Sequence, residues 1–176
     1  MTKIGLFHIV QAHLDTLRDE GQARISRIDI IVFFIAPMIA ASLAAYFICV
    51  IPKEVFVIII SVFSIFSALL INAQVAIFGI SQKERPSLDD KQKEEILVEE
   101  FKMRNRLLSQ LNTNISYLIV IACFSLVIFI AFYAFEWSSR IEIFIAVYVF
   151  LHFLTSLMMV IKRSHALFQR EYDRNR

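Results

Sequence analysis

Glycine and proline are scarce in this chain, 3 of each in 176 residues. No glycine-rich phosphate loop is present. The two cysteines, Cys49 and Cys123, both fall within apolar runs, so free thiols packed as small apolar groups are expected rather than a disulfide framework. No paired-Cys or His-Glu-x-x-His metal pattern is present, and no nucleophile stands beside a base. His8 and His13 are five apart, off the same-face helical spacing of three or four. Catalytic, cofactor-binding and metal-ligating residues are therefore expected to be none, and the chain reads as a non-enzyme.

Charge is also missing where it matters most. Four apolar runs, 30–51, 55–80, 115–135 and 141–161, make up about half of the chain and contain no Lys or Arg; their sole acid is Glu142. Each run has about 20 residues or more, enough at ~1.5 Å per residue to cross a ~30 Å hydrocarbon core. The composition agrees, with 58% hydrophobic residues, 19% charged and 17 phenylalanines. The fold class expected is all-α: an integral membrane four-helix bundle of two helical hairpins, 29–80 and 115–161. An amphipathic segment, 1–28, precedes it, a cytoplasmic helical bridge, 81–114, links the hairpins, and a basic tail, 162–176, follows.

The cations supply the orientation. Of the 18 Lys and Arg residues, only Lys53 and Arg140 lie in the two short outer turns; the other 16 lie before the first run, between the second and third, or after the fourth. The positive-inside rule then puts both termini and the bridge in the cytoplasm. The amino terminus does not read as a cleaved signal peptide, and the run 30–51 is expected to remain as a signal anchor. Tyr46, Tyr133 and Trp137 fall near the outer edge, where an aromatic belt would lie.

Local patterns refine this. Phe7, Val10, Leu14 and Leu17 recur at helical spacing, so residues 2–19 read as an amphipathic helix closed by Gly21. Such a helix either lies in the headgroup region or packs on the bridge. Ser26 with Asp29, Ser87 with Asp90 and Ser139 with Glu142 have capping-box spacing and place helix starts near Ile28, Leu88 and Arg140. In the bridge, Leu97, Phe101, Leu108 and Leu111 share one side, next to Lys102, Arg104 and Arg106. Leu97, Phe101, Lys102, Arg104 and Arg106 are the candidate docking residues for a cytoplasmic protein. The mixed signs along this helix do not give the concentrated basic face of nucleic-acid binding. Any bend between bridge and third run is expected at Asn112 or Asn114. In the tail, Lys162, Arg163 and Arg170 are candidates for anchoring on anionic headgroups.

Polar residues inside the runs are costly in hydrocarbon and mark either helix contacts or a path. Ser61, Ser64, Ala68 and Asn72 follow one face of the second run, with Ser67 and Gln74 beside it, and His152 lies in the fourth. Ser61, Ser64, Asn72, Gln74 and His152 are therefore candidates for helix contacts or pore lining, with contacts favoured. Pro37 is expected to kink the first run.

The segment Arg24-Ile25-Ser26-Arg27-Ile28-Asp29 runs straight into Ile30-Ile31-Val32-Phe33-Phe34-Ile35-Ala36-Pro37, and two hairpins follow around a charged bridge. In that layout the chain resembles the small four-helix membrane proteins of bacterial defence loci, and among them the membrane subunits of Kiwa anti-phage systems. The resemblance implies a homo-oligomer of the bacterial inner membrane that senses phage-induced envelope disturbance and signals to a cytoplasmic DNA-binding subunit. It carries over no functional residue. The residues themselves point to a scaffold or sensor with the lipid bilayer, further copies of itself and a cytoplasmic protein as partners, and with no direct nucleic-acid binding. A pore-forming, membrane-depolarising effector is the alternative, and a small transporter a distant one.

Overall fold

The computed structural model describes residues 5–16, 27–81, 91–135 and 139–174. Every regular element among these residues is helical. α1 is Leu6–Asp15. α2 (Arg27–Ile30) passes directly into a π-helical turn, Ile31–Ile35, and then into α3 (Ala36–Phe47). α4 is Lys53–Ser81, α5 is Lys91–Ala134 and α6 is Ser139–Arg174. The expected caps at Ser26 and Ser87, the Gly21 stop and the turn around Ser138 lie outside the described residues, as does the Ser139 side chain.

α4, α5 and α6 are each long and apolar enough to cross a membrane. The first apolar run differs. Its helix ends at Phe47 rather than 51, because Ile48 adopts an extended conformation (φ −94°, ψ 123°). The chain stays out of helix as far as Pro52, whose ring disfavours helical geometry at the preceding residue. Pro52 then stands immediately before α4, its carbonyl accepting the Val55 N–H at 3.0 Å.

The helix is not interrupted at Asn112 or Asn114. α5 is one unbroken helix of 44 residues, about 66 Å long. A single apolar seam runs through it: Leu108, Leu111, Ile115, Leu118, Ala122, Ser125, Phe129 and Phe132 are all buried, in alternating steps of three and four. A period of 3.5 keeps one stripe turned toward a supercoiled partner. α4 answers with Phe56, Phe63, Leu70 and Ile77, buried at every seventh position. Phe63, 0% exposed, sits between the two long helices, its ring 5.6 Å from that of Phe129 on α5 and 4.8 Å from that of Phe153 on α6.

The helices do not pair in chain order. α4 packs on α5, α5 on α6 and α6 on α3, whereas α3 and α4 make no close backbone contact among the described residues. The hairpin expected over 29–80 is therefore open, while that over 115–161 forms as α5 against α6. The extended link 48–52 lets α3 and α4 part, and the contacts of the π turn lie on α6. α1 rests against α5.

α4 is the most outward of the long helices: 17% of its apolar window is buried, against 39% for α5. Ile58, Ile65, Leu69, Val75 and Phe78 are all exposed along it. Soluble monomers rarely expose contiguous apolar patches beyond a few hundred Å², so this surface suits hydrocarbon rather than water. Phe63→Ala is expected to remove about 3–5 kcal/mol of stability, and Ile65→Ala on the outward face to change it by less than about 0.5 kcal/mol. Thermal unfolding in detergent compares them, and equal losses would contradict the seam.

Candidate functional site

The site begins with a proline. Pro37 has no N–H, so the carbonyl of Phe33, four residues earlier, loses its α-helical donor. The helix widens there into the π turn, and the Phe33 carbonyl lies 2.8 Å from Nδ1 of His152 on α6, which donates to it. Committing Nδ1 as donor leaves Nε2 as acceptor, and Nε2 receives the Tyr117 hydroxyl of α5 at 2.8 Å. One imidazole thus ties α6 to both the π turn and α5, with both nitrogens satisfied in the neutral ring. The rings of Tyr148 and Phe34 pack against His152, at 5.9 and 5.2 Å.

α1 completes the cluster. The His13 ring stacks on Tyr117 with centroids 3.7 Å apart and planes 7° from parallel. His13 Nδ1 donates to Asn114 Oδ1 at 2.8 Å. The Thr16 hydroxyl shares its proton between that oxygen, at 2.9 Å, and the His13 carbonyl, at 2.7 Å. Arg163 Nη2 donates to the Thr16 carbonyl at 2.7 Å. A cation there meets the free carbonyls and the negative dipole end of a helix C-terminus. Further toward its N-terminus, Leu6, Phe7 and Val10 of α1 line a pocket with Val120, Phe124 and Ile128 of α5. α1 therefore runs down beside the first half of the third apolar run.

Burial sets the electrostatics. His13 is 0% exposed, and desolvation holds its pKa down from 6.5 to about 4, against the Asn114 hydrogen bond and with repulsion from His152 and Arg163.

The five intramembrane candidates do not converge. His152 belongs to the cluster just described. Gln74 bridges α4 to α5, donating to Ser116 Oγ at 3.0 Å and to Asn112 Oδ1 at 3.2 Å. Ser61 and Ser64 return their hydroxyls to the Val57 and Ile60 carbonyls at 2.8 Å and, with Asn72, lie on the exposed side of α4. The docking set divides as well. Arg104 is buried over the Phe101 ring, 4.9 Å from its centroid, while Lys102 and Arg106, one turn apart, are exposed. Of the tail residues, Lys162 is exposed and Arg163 is turned onto α1. The side chains of Leu97 and Arg170 lie outside the described residues. Among those residues, no group of three or more His, Cys, Asp or Glu side chains could hold a metal ion.

Sequence reasoning singled out His152 but not its partners Tyr117 and Phe33, nor the His13–Asn114 pair. Pro37 was the available signal, since any proline within a helix frees the carbonyl four residues back. Comparisons with protein-family models, with curated proteins and with solved structures give no match.

The depressed His13 pKa carries a sign. The docked state binds fewer protons than the undocked one, so docking of α1 is at full strength above pH 6.5 and weakens as pH falls toward 4. The protection of the α1 amides against hydrogen exchange in detergent, corrected for the intrinsic slowing of exchange toward low pH, is expected to fall over that window, and His13→Asn to abolish the fall. A pH-independent protection in both chains would contradict it.

Proposed function

We propose that this chain is a non-enzymatic membrane scaffold of four spans, with its carboxyl terminus and the helical bridge on the cytoplasmic side of a bacterial inner membrane. It assembles with copies of itself and recruits a soluble protein. The observation that carries this reading is the division of labour among the helices. α4 fully buries only one residue in seven, Phe56, Phe63, Leu70 and Ile77, and turns Ser61, Ser64 and Asn72 outward. Small and amide side chains on such a face allow close helix approach and hydrogen bonds between helices, worth about 0.6–2 kcal/mol each.

On the basic side, α5 and α6 extend beyond their apolar segments, as far as Lys91 and Arg174. The two helices carry Lys102 and Arg106 at exposed positions there. A helical stalk with an outward basic edge suits an acidic surface on a soluble protein. The layout it shares with membrane subunits of anti-phage systems fits the same role, in which the assembly would report envelope disturbance to that protein.

A second reading rests on the same α4 stripe. Were several copies to turn this stripe toward a common axis, Ser61, Ser64 and Asn72 would line an opening, and the assembly would depolarise the membrane. His152, with both nitrogens engaged, and Gln74, bonded to α5, support helix contacts rather than that path.

Native mass spectrometry of the detergent-solubilised protein tests the scaffold reading. The wild-type chain is expected as an oligomer with a co-purifying soluble protein. Asn72→Leu is expected to shift the distribution toward monomer, and the Lys102→Glu, Arg106→Glu double variant to keep the oligomer and lose the soluble protein. A wild-type chain that stays monomeric and alone would sink the proposal.

A further inference from the structure

α1 is held to the body of the protein largely by one titratable ring. Of its side chains only His13 is buried, and among the described helices its backbone comes close to that of α5 alone. The neutral imidazole spends Nδ1 on Asn114 and leaves Nε2 buried without a hydrogen-bond partner. A second proton has to sit on that nitrogen. It would bring a charge into a buried place and a donor with nothing to accept it, and both are costly. The surroundings add to the cost. Tyr117 and Asn114 of α5 and His152 and Arg163 of α6 face the ring, and the two on α6 repel a cation there. Asp29 of α2 attracts Arg163.

The contacts of the ring reach further than α5. Tyr117, stacked 3.7 Å from His13, gives its hydroxyl to His152 Nε2 at 2.8 Å. His152 in turn gives its Nδ1 proton to the Phe33 carbonyl of the π turn at 2.8 Å. Three contacts thus run from α1 to the first apolar helix through one ring on α5 and one on α6. A second path lies beside them, because Leu6 and Val10 of α1 wall the same pocket as Phe34 and His152. α1 makes no close backbone contact with the π turn or α3 among the described residues. Any influence between them passes through these side chains.

We propose that α1 is a proton-operated latch on the first apolar helix: protonation of His13 releases α1 from Tyr117, and Tyr117, no longer held by the stack, lets His152 slip from the Phe33 carbonyl. The device has two states. In the latched state both nitrogens of His152 are satisfied and α3 lies along α6. In the released state α1 is detached and α3 is loose. The two events share one equilibrium, so the coupling is reciprocal. A disturbance that pulls α3 from α6 therefore also frees α1.

Spin-label distances in the full-length protein, with Cys49 and Cys123 replaced, test the latch. One pair joins α1 to α5 (Gln11 with Val127), a second joins α3 to α6 (Leu43 with Phe150), and a third (Ile58 with Ile130) reports on the α4–α5 seam. With the native His13 and Tyr117, the first two pairs are expected to be narrow above pH 6.5 and broad near pH 4, sharing one midpoint, while the third stays sharp. His13→Phe keeps a ring on Tyr117 but takes up no proton, and both pairs are expected to stay narrow. Tyr117→Phe keeps the platform but lacks the hydroxyl, so α1 is expected to release as before while the α3 pair stops following it. Should His13→Phe not fold, as a broad third pair reveals, Tyr117→Phe decides alone. An α1 pair that stays narrow near pH 4 would overturn the latch, and an α3 pair that stays narrow while α1 releases would overturn its coupling to α3. Broadening of the α3 pair near pH 4 in His13→Phe would do the same, since His152 would then be taking up the proton itself.

Discussion

In hydrocarbon a backbone carbonyl without a donor costs several kcal/mol, and the rest of this structure is arranged around one such carbonyl. Pro37 removes the helical donor of Phe33, and His152 replaces it from another helix. That single exchange fixes which helix α3 lies against. It also fixes the tautomer of His152, and through Nε2 it orients Tyr117, whose ring is the platform on which α1 stacks through His13. The π turn is a local departure from α-helical geometry whose loose end is satisfied only by tertiary contact.

The seams on either side work by a different principle. Between α4 and α5, and between α5 and α6, packing is a matter of periodic apolar side chains. Phe56, Phe63, Leu70 and Ile77 meet the three-four seam of α5 without any buried charge. Such a seam is strong and tolerant of detail, and it leaves most of α4 uncommitted. The polar cluster is local and directional by contrast, and each of its members has one geometry in which it is satisfied. Together they give an α4–α5–α6 core with α3 packed along α6 and α1 resting on α5, each contact pinned by hydrogen bonds of the cluster. The parts most easily moved are therefore α1 and the pocket wall it supplies.

Much of this was legible in the sequence, and the limits are physical. The three long apolar helices follow from uninterrupted uncharged runs, and the starts of α2 and α6 fall within a residue of their expected places. The order of packing was not legible. Short turns between successive runs imply hairpins, and nothing local says that Ile48 and its neighbours would extend and let α3 go to α6. The continuity of α5 was open because Asn112 and Asn114 weaken a helix taken alone. In the fold, Asn114 turns its amide to His13 and Asn112 accepts from Gln74. His152 stood out as an intramembrane imidazole, but its partners are a carbonyl 119 residues away and a tyrosine 35 away. Separations of that kind leave no periodic trace.

The claim on which the account turns is that His152 holds the first apolar helix to α6. Spin-label distance measurement between Leu43 on α3 and Phe150 on α6, in a chain with Cys49 and Cys123 replaced, examines it directly. The account predicts one narrow distance distribution, which His152→Leu broadens while a control pair on α4 and α5, Ile58 with Ile130, stays sharp. A broad α3–α6 distribution in the wild-type chain, or a narrow one that survives His152→Leu, would contradict it.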